Sequence, residues 1–395
     1  MPWKFPLADG HAMVYNADYM KAEVIAIGTE LLLGRIVNTN TAFLGRKLAE
    51  LGLDVYYHTT VGDNPSRLIE SIKRSLTRSD VVILTGGLGP TVDDITIGAV
   101  KALAYAHGIK WIPNKVGTAP GLIVEEAGKI VVCLPGPPRE MEPMFDNNIV
   151  PYLKMRFGLS FILKTRVIKT TGLAEIRVNS IIKDLLNLKP PTTVGIYAKL
   201  CEVDLVIMAK AQSNRQARRA ISTIEKKIRS RLKDYIFGYD DETLEAAVGR
   251  ILTSGKKTIA VAESCTGGLI STRLTDVSGS SKYFVRGAIP YSNEIKVRFV
   301  GVNERTLKRY GAVSRQVALE MARGIKRIAG VDIGLAVTGI AGPTGGTRIK
   351  PVGLVYLALA TAKKSTAKEF RFRGSRQEIK FQASQAALDM IRKGV

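Results

Sequence analysis

The twenty residues TIAVAESCTGGLISTRLTDV, 258–277, decide how the C-terminal part of the chain is read. TIAVAES is an apolar run of strand length. It breaks at Cys265, Thr266, Gly267 and Gly268 and resumes as GGLISTRLTDV with helical spacing. A buried strand passing through glycines into a helix is one step of an α/β fold with a parallel sheet. Working outward, YFVRGAIPY, VDIGLAVTGIAGPTGG, PVGLVYLALAT and KEFRFRG read as further strands. SRQVALEMARGIKRIAG (314–330) reads as an amphipathic helix capped by Ser314, and the chain closes in another helix.

The same alternation fills an earlier region. AEVIAIG (22–28), DVYYHTTVG, DVVILTGGLGP (80–90) and KIVVCLPGPP (129–138) read as strands, with NTNTAFLGRKLAELGL (38–53) and SRLIESIKRSL as helices between them. Between the two regions, TRVIKTTG, a helix to Leu188, KPPTTVGIYAK, VDLVIMAKA, a basic helix at 214–232 and YIFG read as a small α+β module, with a turn at Pro190–Pro191. GYDDETLEAAV (238–248) reads as a linker entering a helix capped by Asp or Thr. The expected organisation is a tail over 1–19, an α/β domain over 20–160, an α+β module over 161–240 and a second α/β domain over 241–395. Both α/β sheets are expected to be mainly parallel.

With 395 residues and 46% hydrophobic content, the chain has room for two or three globular domains and is far from disordered composition. It holds no uninterrupted apolar run of about 18 residues, so no membrane helix is expected. Its first residues lack the basic start and apolar core of a secretory signal, so a cytoplasmic protein is expected. Cys133, Cys201 and Cys265 are too widely spaced for a zinc site and fit reduced thiols. The net charge of +23 is uneven: zero over 1–159, +9 over 160–240 and +14 over 241–395. Such surfaces attract anions, either phosphorylated small molecules or nucleic acid, although a solvated basic face has the same composition.

Ser264 and Cys265 stand side by side where strand gives way to helix. Backbone N–H groups at such a place can hold an oxyanion or a phosphate, and Gly267 and Gly268 allow close approach. The stretch is not G-x-S-x-G, and an N-cap serine before a turn would look the same. The three histidines, His11, His58 and His107, all precede residue 108. A Ser–His–Asp or Cys–His site within the C-terminal domain therefore needs a histidine from elsewhere. A serine without histidine takes a lysine of lowered pKa as base. Of twelve lysines in this domain, Lys296 in PYSNEIKVRF is the first candidate, beside Tyr291, Asn293 and Glu294. Lys350 in TRIKPVG is the second. Cys265 competes as nucleophile if its setting is electropositive, but a small cysteine beside a strand end is more often buried. The glycine-rich stretch 337–353 adds Thr338, Thr347 and backbone N–H groups suited to a phosphate or ribose.

These motifs in order, AESCTGG, PYSNEIK, VTGIAGPTGG, KPVGLVY and RFRGSRQEIKFQASQAAL, closely resemble the C-terminal domain of the CinA competence/damage-inducible family, itself similar to nicotinamide-nucleotide amidases. AIGTELLLGRIVNTN, TVGDN, ILTGGLGPTVDDIT, VGTAPG and LPGPPRE resemble its N-terminal domain, which is similar to the molybdopterin-binding fold. CEVDLVIMAKA and DYIFGYDDETLE resemble its KH-like module. The resemblance spans residues 20–395. It implies hydrolysis of the carboxamide of nicotinamide mononucleotide to nicotinic acid mononucleotide and ammonia, without a cofactor, in pyridine-nucleotide salvage. Ser264 would be the nucleophile and Lys296 its base, with Tyr291 orienting proton transfer. Glu263, Thr266, Gly267, Gly268, Asn293, Thr338, Gly339, Gly342 and Lys380 would form the substrate site. A homodimer is typical of what the chain resembles.

The resemblance also implies an ADP-ribose pyrophosphatase in the N-terminal domain. Its site would be built from Gly28, Glu30, Asn38, Gly86, Gly87, Asp93, Asp94 and Gly136, with Asp93 and Asp94 holding a divalent metal; as a plain reading, the two aspartates cap the next helix. Three departures stand out. Ala288, Ile289 and Pro290 precede Tyr291 where the family reads V-T. Lys380 and Ser375 replace an arginine and an aspartate. About forty residues are absent between the helix after TVDDIT and VGTAPG. Two other classes remain open: a molybdopterin- or nucleotide-binding protein without amidase activity, and a nucleic-acid-binding competence factor using the basic helix at 215–233. The second lacks a GXXG loop and aromatic interleaving.

Overall fold

The structure is a computed structural model that describes residues 20–89, 95–103, 109–126, 128–158 and 162–394. It divides into two compact units, one built on a six-stranded sheet, the other on a five-stranded sheet with residues 165–208.

The first unit's sheet contains β1 (Lys21–Ile27), β2 (Asp54–Val61), β3 (Val81–Thr85), β4 (Ile109–Ile112), β5 (Gly121–Glu126) and β6 (Lys129–Leu134), in the order β2-β1-β3-β6-β5-β4. The first four in that order run parallel, and β5 and β4 add antiparallel. β4 and β5 were not anticipated, because that stretch has no continuous apolar run. Alternate residues of β1 enter two cores: Ala22 and Val24 on one face, Ile25 and Ile27 on the other. Burial on both faces explains why the strand reads as unbroken hydrophobic sequence.

The KH-like segment contributes β7 (Ile162–Thr171), β8 (Thr192–Lys199), β9 (Glu202–Ala211) and β10 (Ile236–Tyr239), in the order β10-β7-β9-β8. The helix Asn214–Leu232 carries Ala217, Ile221, Ile224, Ile228 and Leu232 as its buried stripe, and its basic residues occupy the other positions.

The C-terminal sheet contains β11 (Ile259–Glu263), β12 (Phe284–Ala288), β13 (Ile333–Gly339), β14 (Leu354–Ala360) and β15 (Ser365–Arg371), ordered β12-β11-β13-β14-β15. β11 pairs parallel with both neighbours, and β14 and β15 are antiparallel. Ile259 and Val261 pack in one core with the helices Leu244–Ser254, Leu269–Thr275 and Arg376–Gly394. Ala260 and Ala262 face the helix Arg315–Ala329 in another. Small residues on that second face bring the helix close: a Cβ at Gly334 would collide with the Ala322 carbonyl. Ser314 caps this helix by accepting from Val317 N at 3.3 Å, and Thr243 caps Leu244–Ser254 in the same way. Among the described residues, no helix is long and apolar enough to cross a membrane.

Candidate active site

Ser264 follows the last residue of β11, the central parallel strand. Its N–H donates to Val337 O at 3.1 Å, which fixes the turn to the end of β13. Glu263 is fully buried, yet both of its oxygens are filled. Oε2 accepts from Thr266 Oγ1 at 2.7 Å, Gly268 N at 3.0 Å and Ile270 N at 3.1 Å; Oε1 accepts from Ser271 N at 2.8 Å and Ser271 Oγ at 2.7 Å. One carboxylate thus collects the loose donors at the start of the helix Leu269–Thr275. The Glu263 carboxylate and the Thr266 hydroxyl, both expected at the substrate site, are taken up in shaping the turn, paired with each other and with the turn's donors. Gly267 and Gly268 turn the chain at φ 63° and 97°. Their amides are also engaged, Gly267 N with Ser264 O and Gly268 N with Glu263. The Cys265 and Thr266 amides have no oxygen acceptor among the described residues.

Lys296 lies in the helix Asn293–Arg298, which Ser292 caps by accepting from Ile295 N. Its side chain is 1% exposed. Nζ lies 3.2 Å from Ser264 Oγ, 2.9 Å from Pro290 O and 2.7 Å from Tyr291 O. Burial lowers its pKa from the ordinary lysine value. Among the described residues no carboxylate pairs with it, and only the neighbouring Cys265 opposes the shift. An amine has two N–H bonds and one lone pair. Two carbonyls and one hydroxyl satisfy an ammonium as donor to all three, and they equally suit a neutral amine that donates to the carbonyls and turns its lone pair to Ser264.

The other candidates fall out differently. Lys350 Nζ donates to Tyr310 O at 2.6 Å and Val313 O at 2.7 Å, so it pins the glycine-rich loop. Cys265 packs in the hydrophobic core, and burial pushes its thiol up to about 12, far from thiolate. Thr338, one residue past the Ser264 contact on β13, donates to Ala312 O at 2.9 Å. Gly339 is paired in β13 and β14, where a Cβ would meet Val355. Asn293 lies instead on a surface groove with Val297, Glu304 and Leu307.

The rim is basic and aromatic. Tyr291 is exposed, and its hydroxyl accepts from Arg376 Nη2 at 3.4 Å; Arg376 Nη1 donates to Gly342 O at 2.7 Å. Lys380, one helical turn further on, has its Nζ 3.6 Å from where a Gly267 Cβ would stand. It makes no ion pair among the described residues. Arg376 is the residue the sequence reading missed. Its i, i+4 spacing to Lys380 was a usable signal.

In the first unit, the turns at the carboxyl ends of β1, β3 and β6 gather. Gly86 has φ 106°, and a Cβ there would strike the Ile27 carbonyl. A Cβ at Gly87 would meet Thr96, and one at Gly136 would stand 3.5 Å from Gly86 Cα. The Glu30 side chain folds against Gly28. Asn38 caps the helix Thr39–Glu50 by accepting from Thr41 N at 3.1 Å. Asn40, not anticipated, donates to Thr85 Oγ1 at 2.9 Å and Gly136 O at 2.7 Å, tying two of the turns together. Asp93 and Asp94 lie outside the described residues. Among the described residues no three His, Cys, Asp or Glu side chains form a group able to hold a metal.

Comparison with known proteins agrees with this architecture. Residues 241–395 match the family model described as CinA C-terminal domain, 23–155 the probable molybdopterin binding domain, and 165–238 the damage-inducible protein CinA KH domain. A relative from Caldicellulosiruptor bescii is 47% identical over 95% of this chain and 99% of its own. That alignment runs over 410 positions, more than the 395 residues here, so the relative carries residues this chain lacks. The CinA-like protein of Dictyoglomus thermophilum is 43% identical over the same shares. Among solved structures, the competence/damage inducible protein CihA from Agrobacterium tumefaciens is 42% identical over 37% of this chain and 90% of its own, with a TM-score of 0.37. On the extent of the family-model matches and of the relatives' identity, this chain, with its molybdopterin-binding-like, KH and C-terminal domains, belongs to the CinA family.

Proposed function

We propose that the C-terminal domain is a nicotinamide mononucleotide amidohydrolase working through a Ser264–Lys296 pair. The observation that carries this reading is the buried Lys296 amine, 3.2 Å from Ser264 Oγ, with two backbone carbonyls taking its remaining hydrogens. A serine hydroxyl is a weak nucleophile until a base takes its proton, and a lysine whose pKa is lowered by burial supplies that base at a lower pH than an ordinary lysine.

Ser264 Oγ attacks the carboxamide carbon as Lys296 Nζ takes its proton. The oxygen of the tetrahedral adduct is held by the Cys265 and Thr266 amides, which have no oxygen acceptor among the described residues. The C–N bond then breaks, Lys296 passes its proton to the leaving nitrogen, and ammonia departs. Water attacks the acyl-enzyme, Lys296 takes a proton from it and returns it to Ser264 Oγ, and the carboxylate product leaves. A phosphate on the substrate would meet Lys380 and Arg376, both at the start of the helix Arg376–Gly394. This accords with the excess of basic residues in the domain.

The test is ammonia release from nicotinamide mononucleotide. We expect Ser264→Ala to abolish it, by a factor of about 10³ or more, and Cys265→Ala to keep most of it. Loss in Cys265→Ala with retention in Ser264→Ala would overturn the assignment.

A further inference from the structure

We infer that the KH-like segment sets how the C-terminal site holds its substrate, through buried hydrogen bonds running from Glu202 to the helix behind Ser264. The inference rests on the amidase reading.

Glu202 opens β9, and its Oε1 accepts from Gln385 Nε2 at 2.7 Å. Gln385 is 2% exposed, and its Oε1 accepts from Arg273 Nη2 at 2.7 Å. Arg273 is itself buried. Nη1 donates to Ser384 Oγ at 2.8 Å, Nη2 also to Glu245 Oε2 at 2.9 Å, and the guanidinium lies 5.0 Å from the centre of the Phe381 ring. Arg273 belongs to the helix Leu269–Thr275, whose Ile270 and Ser271 amides hold Glu263 beside the nucleophile. Phe381, Ser384 and Gln385 belong to the helix Arg376–Gly394, whose first turns carry Arg376 and Lys380 to the rim. The guanidinium therefore fixes the spacing between the turn that does chemistry and the cations that would take a phosphate.

The amide of Gln385 makes this arrangement directional. Its oxygen must face Arg273 and its nitrogen must face Glu202. Turned over, it would set an NH₂ group against a guanidinium, donor against donor. Glu202, from the KH-like sheet, is what makes the productive orientation the satisfied one. Without its acceptor the buried Gln385 nitrogen has no partner, and the amide, the guanidinium and the C-terminal helix lose a common position. Arg273, Gln385 and Glu202 are positioning residues: none is placed against the reacting atoms.

The experiment compares Glu202→Ala and Glu202→Gln in the full chain. Glu202 is half-buried at the end of a strand, so both variants should fold, and thermal melts check this. We expect Glu202→Ala to raise KM for nicotinamide mononucleotide about three- to tenfold with kcat within about twofold of wild type. Glu202→Gln, whose amide oxygen still accepts, should return KM to near the wild-type value. Amide hydrogen exchange without substrate gives an independent readout, with faster exchange expected over 264–271 and 376–381 in Glu202→Ala alone. An unchanged KM, a loss in kcat only, or a Glu202→Gln variant as impaired as Glu202→Ala overturns the inference. If the wild type releases no ammonia but the exchange pattern appears, the amidase reading falls and the coupling stands. If the wild type is active and exchange is unchanged at both segments, the coupling falls and the amidase reading stands.

Discussion

Lys296 shows what burial does to a single side chain. An ammonium with three acceptors would be well satisfied, yet taking it out of water favours the uncharged amine, and this outweighs the opposing influence of Cys265. In the proposed mechanism the neutral form is the base, so kcat/KM should rise with pH and level off once Lys296 has lost its proton. The midpoint should fall below the ordinary lysine value of about 10.4. A pH–rate profile from 6 to about 10 reads this directly, and a limb centred at or above the ordinary value would remove Lys296 as the base. Stability follows the same sign. Between the lowered folded pKa and the unfolded one, the unfolded chain binds more protons, so folding strengthens as pH rises through that window. Lys350 Nζ also donates to two carbonyls but pairs with no hydroxyl among the described residues, so it serves as a strut of its loop.

At the scale of an element, the turn after β11 depends on one carboxylate. Three amides and two hydroxyls converge on Glu263. Glu263→Ala leaves them buried without a partner and should cost about 3 kcal/mol or more. Urea unfolding followed in the C-terminal domain measures that loss; a change under about 0.5 kcal/mol would refute the account of the turn. Glu263→Gln keeps the volume but puts an NH₂ group among donors, so it should lower kcat through a displaced Ser264 more than it raises KM. The helix Asn293–Arg298 teaches a different lesson. It was legible only as a polar cluster after a strand, because six residues are too few to show a period and Pro290 precedes them. Longer elements such as Arg315–Ala329 and Asn214–Leu232 were readable in full, since four or five turns repeat the pattern.

Across the whole second unit, the C-terminal domain is not self-contained at residue 241. Phe237 of β10 lies in the same core as Leu244, Ile259 and Leu388. Arg392, near the end of the last helix, donates to the carbonyls of Ile236 and Asp234. Phe237→Ala should destabilise this unit by about 3–5 kcal/mol, as for other buried aromatic truncations. A fragment beginning at 241 should melt below one beginning at 162. Equal melting temperatures for the two fragments would show that β10 adds nothing to that core.

The sequence by itself determined the α/β alternation, the strand–turn–helix around Ser264, and, through the absence of histidine after residue 107, that the C-terminal domain has no histidine of its own to serve as base for this serine. These are local or compositional properties: apolar runs, caps, glycines and a census. Only the tertiary structure decided which lysine meets the serine. That contact joins residues 32 apart through parallel pairing of β11 with β12 and β13, and nothing local specifies it. The tertiary structure also turned Glu263 from a ligand group into the anchor of its turn, buried Cys265, and brought Arg376 and Lys380 to the rim from the far end of the chain. A side chain's type limits the chemistry it can do. Its neighbours, set by packing between distant segments, fix its charge, its exposure and its partner.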